Sequence, residues 1–443
     1  MEVNLSQILE AREQRAARQR QLLDTFRKPL ICFTMNIAGP IKNSPLITEG
    51  FRLGQGFLHA QLSGLPVLFR EEVISDTGCE GFYVVDWDAR QIKALTAQIE
   101  DSAPVGRLFD MDVLDTDGAK ISRESIGLSG RKCLLCGNPV HICSSRRAHS
   151  LAQLQEATTA LLQEAVWDSQ ARQIGSLAGK SLLYEVCVTP KPGLVDRANS
   201  GSHRDMDIFT FMGSAAALQP YFEGCARIGM ETAALSPAET FSRLRLPGKI
   251  AEQTMYQATV GVNTHKGAIF SLGILCAAAG RLEKARRTPE AICRESAAMT
   301  AGLVARELGG ISLETAATNG QKLYARHGIT GIRGQAEAGF PAALHTGLPV
   351  LEAGLSQGLS LNDAACAALL HLMCCTEDTN LIVRSNLAAW QAAAQQIRSL
   401  LEKAPYPTKG QLEKLDSAFI QKNLSPGGTA DLLAVSLFLL FMK

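Results

Sequence analysis

The residues with the plainest chemical potential lie in Arg107-Leu-Phe-Asp110-Met-Asp112-Val. On a strand, side chains two apart share a face. Asp110 and Asp112 then form a carboxylate pair flanked by Leu108, Phe109, Met111 and Val113. Two close carboxylates repel unless a cation sits between them. Mg2+ suits such a pair because it commonly links carboxylates to substrate phosphates. Nucleotidyl transfer needs that charge to neutralise departing pyrophosphate. The same pattern also fits a strand end with exposed acids. Asp115-Thr-Asp117-Gly118 reads as a turn. Cys133 and Cys136 are followed by His141, Cys143 and His149. Cys133, Cys136, Cys143 and His149 can complete a tetrahedral zinc site. Free thiols in a reducing compartment are the other reading.

The second half carries loop-like clusters. Glu185-Val-Cys-Val-Thr-Pro-Lys191-Pro-Gly-Leu-Val-Asp196 ends a helix in a Pro-rich turn, and Gly201-Ser-His203-Arg-Asp205-Met-Asp207 follows it. Gly261-Val-Asn263-Thr-His265-Lys266-Gly267 precedes an apolar helix, and its glycines and donors suit a phosphate at a helix N-terminus. Glu377-Asp378-Thr-Asn380 ends a helix that is apolar nearly all round and hence buried. A helix C-terminus carries partial negative charge, so two carboxylates there are locally unfavourable, and a bound cation or substrate is one way to offset that. Ser425-Pro-Gly427-Gly428-Thr-Ala-Asp431 enters the final apolar helix. Together these clusters supply acids, donors and bases for a large phosphorylated substrate. Each also has a plainer use, since Gly-rich turns connect helices and Asp205 or Asp431 can favour a helix N-terminus.

Two kinds of scaffold must position these residues. Residues 3–27 read as a charged amphipathic helix; strands follow at about 30–37, 66–69, 81–85 and 105–114, with helices at about 46–62 and from Asp88 to about 99. From His149 onward helical spacing replaces alternation. A linking helix over about 149–186 should break near Gly175. Helices are expected at about 205–222, 267–279, 289–308, 312–326, 335–356, 362–375, 386–403, 410–422 and 429–442, with Gly280 closing the second of these. The expected layout is an N-terminal α+β domain over residues 1–168 and an all-α domain over 169–443.

The formal net charge of +1 argues against a broad nucleic-acid-binding face but leaves room for a local basic pocket. The first residues lack the apolar core of a signal peptide, and Leu432–Met442 is too short to span a bilayer. With twelve cysteines and no secretion signal, a cytoplasmic location without membrane attachment is expected.

Asn36-Ile-Ala-Gly-Pro-Ile-Lys42, Arg107 to Val113, Ile121-Ser-Arg123 and Arg131-Lys-Cys-Leu-Leu-Cys136 through Cys143 and His149, in that order, resemble apo-citrate lyase phosphoribosyl-dephospho-CoA transferase over roughly residues 20–152. Thr-Pro-Lys191-Pro-Gly-Leu-Val-Asp196, Gly-Ser-His203, Gly-Val-Asn263-Thr-His265-Lys266-Gly, Gly331-Ile-Arg333-Gly-Gln-Ala-Glu337, Asp378-Thr-Asn380 and Asn423 to Asp431 resemble triphosphoribosyl-dephospho-CoA synthase. A glycine is expected where Glu377 stands, which leaves any separate role for Glu377 open.

The resemblance implies a bifunctional enzyme that joins ATP to dephospho-CoA with loss of adenine, then transfers the product to a serine of the apo-citrate lyase acyl carrier protein. It implies Mg2+ at Asp110 and Asp112, with Arg123 or Arg131 on phosphate. It implies Asp196, Asp205 and Asp378 as metal or base groups and Lys191, His203 and Lys266 on phosphate. Lys42, Asn263, His265, Arg333, Glu337, Asn380, Gly427, Gly428 and Asp431 join the expected substrate contacts. Maturation of malonate decarboxylase needs the same synthase step, and a catalytically dead scaffold that binds the carrier protein is a rival of another class.

Overall fold

A capping box opens the chain: the Asn4 side chain accepts from Gln7 N while Gln7 reaches back to Asn4, and α1 (Leu5–Phe26) starts there. The computed structural model describes residues 2–443. They divide into two units, Met1–Ser169 and Gln170–Lys443.

In the first unit β1 (Leu30–Met35) is followed by α2 (Pro45–Gln61), β2 (Val67–Ser75), β3 (Gly78–Val85), α3 (Ala89–Ser102) and β4 (Phe109–Leu114). The strands form one antiparallel sheet in the order β2-β3-β1-β4. Alternation fixes its faces. Phe109, Met111 and Val113 join Ile31, Phe33 and Phe51 in one core, while Leu30, Cys32, Phe82 and Val84 pack with Leu22 and Leu23 of α1. Residues 105–108, expected in the strand, belong instead to a 3-10 turn, Pro104–Leu108, begun by Pro104. β2 runs on past Phe69 to Ser75, because it pairs with β3 along its length. The short α4 (Val140–Ser145) precedes α5 (Leu151–Cys187), which carries the chain into the second unit.

The second unit is helical, with no strand among the described residues. Its helices are α6 (Ile208–Glu231), α7 (Pro237–Ala258), α8 (Lys266–Arg281), α9 (Pro289–Thr300), α10 (Leu303–Leu308), α11 (Asn319–His327), α12 (Gly331–Glu337), α13 (Leu348–Ser356), α14 (Leu361–Cys375), α15 (Thr379–Arg384), α16 (Leu387–Lys403), α17 (Lys409–Gln421) and α18 (Gly427–Phe441). Three strongly apolar helices, α8, α14 and α18, are buried along most of their length, and α18 packs against the other two.

Two glycines expected to end helices do another job. α5 runs unbroken through Gly175, where an added Cβ would lie 2.6 Å from the Glu223 backbone nitrogen of α6. Gly280 lies inside α8, and a Cβ there would meet the Ala226 carbonyl oxygen at 2.1 Å. Both permit close approach of helix backbones. Gly302, at φ 72°, divides the helix expected over 289–308.

Candidate active sites

The loops that enter α8, α15 and α18 meet around a cavity of about 480 Å³. Lys191, His203, Asp205, Asn263, His265, Lys266, Asp378, Asn380, Gly427, Gly428 and Asp431 all line it, so residues up to 240 positions apart converge as the motifs suggested. Three of its acids are enclosed. Glu185 and Asp378 are each 4% exposed, and Asp431 is half-buried in the cavity wall. Enclosure pushes the Asp431 carboxyl well above the usual carboxylate range, and the nearby charges of Glu185 and Asp378 add to it; the Ala268 N–H, at the start of α8, opposes. Burial likewise raises Glu185, against the pull of Lys191, whose Nζ donates to Glu185 Oε1.

Asp378 is the N-cap of α15 and also the tie to α18. Its Oδ1 accepts from Leu381 N at 3.0 Å, and its Oδ2 accepts from Thr429 N at 2.6 Å and Thr429 Oγ1 at 2.8 Å. The acid therefore faces two helix N-termini, where negative charge is favourable, rather than the end of α14. A charge left over at a helix C-terminus, as read from the sequence, is not the situation of Asp378.

His265 is 3% exposed, and its Nδ1 lies 2.8 Å from Ser214 Oγ. Its Nε2 is buried without a hydrogen-bond partner. Burial, and then the Lys191 charge, lowers the imidazole to about 3, so it is neutral at physiological pH. His203 bonds through Nε2 to Ser425 Oγ at 2.8 Å and is lowered by burial and by Arg384. The N-terminus of α8 does not offer all its donors to a phosphate: Asp431 takes the Ala268 N–H, and Asn263 Oδ1 accepts from Lys266 N at 3.4 Å.

Other expected residues lie elsewhere. Asp196 is not in the cavity wall. Its carboxylate accepts from Thr189 Oγ1, Lys191 N, Ala198 N and Asn199 N, so it organises the loop that presents Lys191. Glu337 accepts from Gly302 N and Val304 N and starts α10. Arg333 pairs with Glu307 at 2.6 Å in a second cavity of about 370 Å³. That cavity shares Lys266, Gly267 and Ile332 with the first and adds Arg245 and Lys249.

In the first unit Asp110 and Asp112 do share a face of β4, opposite Thr34 and Cys32 of β1. Each has its own cation: Asp112 Oδ1 lies 2.6 Å from Lys120 Nζ, and Asp110 Oδ1 lies 3.5 Å from Arg131 Nη1. Arg131 also donates to the Phe109 carbonyl at 2.6 Å and pairs with buried Glu100. Arg123 is packed beneath, bound to Ala97 O, Glu100 and Asp101, so its guanidinium serves α3. Lys42 donates to the Ile37 carbonyl within its own loop, and burial lowers it. The Sγ atoms of Cys133, Cys136 and Cys143 and a ring nitrogen of His149 lie within 4.8 Å of one another.

Residues 171–443 match the family of ATP:dephospho-CoA triphosphoribosyl transferases, and residues 3–165 match the family of apo-citrate lyase phosphoribosyl-dephospho-CoA transferases. Both families meet in this one chain. Protein CitXG of Haemophilus influenzae is 36% identical over 100% of this chain and 97% of its own length. Protein CitXG of Leuconostoc mesenteroides subsp. cremoris is 35% identical over 99% of this chain and 97% of its own length. The 2-(5''-triphosphoribosyl)-3'-dephosphocoenzyme-A synthase of Escherichia fergusonii is 41% identical over 61% of this chain and 91% of its own length.

Within the triphosphoribosyl-transferase part, three features escaped the sequence reading. Arg384 lines the cavity and donates to Ser202 O at 2.7 Å and Asn423 Oδ1 at 3.1 Å. Ser214 holds His265 from inside α6, and Arg245 and Lys249 lie on α7, a helix not expected because Pro247 and Gly248 interrupt its pattern. None of these has a local spacing that marks it. In the carrier-transferase part the buried Glu100, which joins Met111 N, Arg123 and Arg131, was equally silent.

Proposed function

We propose that the second unit joins ATP and dephospho-CoA into triphosphoribosyl-dephospho-CoA, and that the first unit transfers this group to a serine of the apo-citrate lyase carrier protein. In the first reaction a ribose hydroxyl of dephospho-CoA bonds to the anomeric carbon of the ATP ribose. The bond from that carbon to adenine breaks, and the hydroxyl proton leaves. In the second, the carrier serine oxygen bonds to the α-phosphorus of the triphosphate, the bond from that phosphorus to pyrophosphate breaks, the serine proton leaves, and phosphoribosyl-dephospho-CoA is left on the serine.

The single observation that carries the synthase reading is the cavity built by the family's own motifs around Asp431, His265 and Lys191. An acid raised by burial and further by the charges of Glu185 and Asp378 fits a divalent cation, because a cation is the partner that removes that repulsion. Asp431 would hold Mg2+, since Asp378 is already committed to backbone donors. Such an ion supplies charge neutralisation on the triphosphate. Neutral His265, with Nε2 free, can hydrogen-bond substrate but is too weak a base to keep a proton at neutral pH. Lys266 and Arg384 lie in the same wall with positive charge for phosphate. The adjoining cavity, with Arg245, Lys249 and Arg333, suits the second phosphorylated substrate, so the two would meet at Lys266, Gly267 and Ile332.

In the first unit the face of Asp110 and Asp112 would take Mg2+, with Lys120 and Arg131 turning to the leaving pyrophosphate. The match of residues 3–165 favours the citrate lyase carrier over that of malonate decarboxylase. The built cavity speaks against a dead scaffold. The test is direct: the chain, given ATP, dephospho-CoA and Mg2+, should release adenine. Absence of adenine at any substrate level would refute the synthase reading.

A further inference from the structure

We infer that Cys133, Cys136, Cys143 and His149 hold a structural zinc ion that clips the 131–149 segment into one folded unit beside the start of β4. Four ligand atoms converge within 4.8 Å, with Cys136 Sγ 3.3 Å from Cys143 Sγ and 3.3 Å from His149 Nε2. Tetrahedral zinc with its usual bond lengths sets such atoms about 3.5–3.8 Å apart. A disulfide would use two of these sulfurs and leave the third thiol and the imidazole at the same point unexplained.

The backbone is shaped for ligation. Lys132 and Pro139 pair as a short hairpin, and Gly137 N donates to Cys133 O at 3.2 Å. Gly137 stands at φ 72°, a left-handed position that lets the chain turn tightly after Cys136. α4 then presents Cys143, and Ala148 N donates to Cys143 O at 3.0 Å, which brings His149 back to the group. Between residues 131 and 149 the only buried side chains are those of Cys133 and Cys143. A segment whose buried atoms are thiols has almost no apolar core, and a metal supplies the missing folding energy in such cases. With every ligand from the protein, the site is closed, as structural zinc sites are.

The clip has a position to defend. Arg107 donates to the carbonyls of Lys132 and Cys133, and Arg131 reaches Phe109 O and lies 3.5 Å from Asp110. The ion would thus keep Arg131 beside the carboxylate strand; this consequence, unlike the metal itself, rests on the transferase reading of that strand.

The full chain, purified without chelator, should carry about one equivalent of zinc by elemental analysis. A mercurial thiol reagent should release it in parallel with three thiols. Cys136→Ser and His149→Ala should each fall below about a tenth of an equivalent. Co2+ exchanged into the full chain should give the intense visible bands of a tetrahedral thiolate site, which reads the geometry even if the variants misfold. Less than about a tenth of an equivalent in the wild-type chain, no cobalt–thiolate band, or an intact mass two hydrogens low with Cys136 joined to Cys143 would each overturn the site. Zinc present in the wild-type chain, with carrier labelling unchanged in a zinc-free His149→Ala chain, would keep the site and refute only its link to Arg131.

Discussion

Gly267 and Asp431 are built for each other: a Cβ on Gly267 would lie 2.0 Å from Asp431 Oδ2. The absence of that one carbon lets the acid reach the first turn of α8 and take the Ala268 N–H. Gly267→Ala should push the carboxylate away, because the far end of a side chain yields more easily than a helix backbone. Adenine release should drop by about tenfold or more, while the melting temperature shifts by only a few degrees. A variant with wild-type adenine release would show that Asp431 need not sit there.

Asp378 should behave differently, since it ties two helices. Asp378→Asn puts an amide against donors from Thr429 or Leu381 and leaves at least one buried group unpaired. Such a loss costs about 1–3 kcal/mol. Urea unfolding should show a lower midpoint in step with the loss of adenine release. An unaltered midpoint would return Asp378 to a purely chemical role.

His265 sets a pH signature. Its folded imidazole is held to about 3, while the unfolded chain takes a proton near 6.5. The unfolded state therefore binds the extra proton first as pH falls, so this contribution is complete above 6.5 and is lost progressively toward 3. Asp431 and Glu185, both raised, act in the opposite direction, since their folded forms keep protons longer. The difference between wild type and His265→Leu isolates the imidazole. Wild type should lose more stability than the variant between about pH 7 and about pH 5, measured by urea midpoints. Equal losses would contradict the burial of a neutral ring.

Much of this was legible in the chain because it is local. The alternation of Phe109 to Leu114 gave the shared face of Asp110 and Asp112, and the change to helical spacing after His149 gave the helical second half. The cavity motifs were legible as loops before helices. What stayed hidden was set by partners far away in sequence. Gly175 and Gly280 looked like helix breaks, yet each answers to a backbone on α6. Asp378 looked like an uncompensated charge because its donors at Thr429 come 51 residues later. The four donors that close on Asp196 from its own loop leave no periodic trace, so its part in shaping that loop was not legible beside the metal or base role that the resemblance implies.

The carboxylate strand of the first unit gives a separate prediction. Asp110→Asn with Asp112→Asn takes the carboxylate from Lys120 and leaves Arg131 with Glu100 and Phe109 O, while Phe109, Met111 and Val113 stay in the core. Carrier labelling should fall by about a hundredfold or more as the pyrophosphate loses its neutralising metal. Labelling at the wild-type rate would reduce the pair to a strand end with exposed acids.

The two proposed sites, one for each reaction, are separated by Asp431→Asn. Wild type and variant would each receive ATP, dephospho-CoA, Mg2+ and the apo carrier protein, with adenine and carrier mass followed together. The variant should release adenine at least about a hundredfold more slowly and leave the carrier unlabelled. Adding ready-made triphosphoribosyl-dephospho-CoA should then restore labelling to the wild-type rate. If adenine release survives the substitution, or if the added product fails to rescue labelling, the two-site account is wrong.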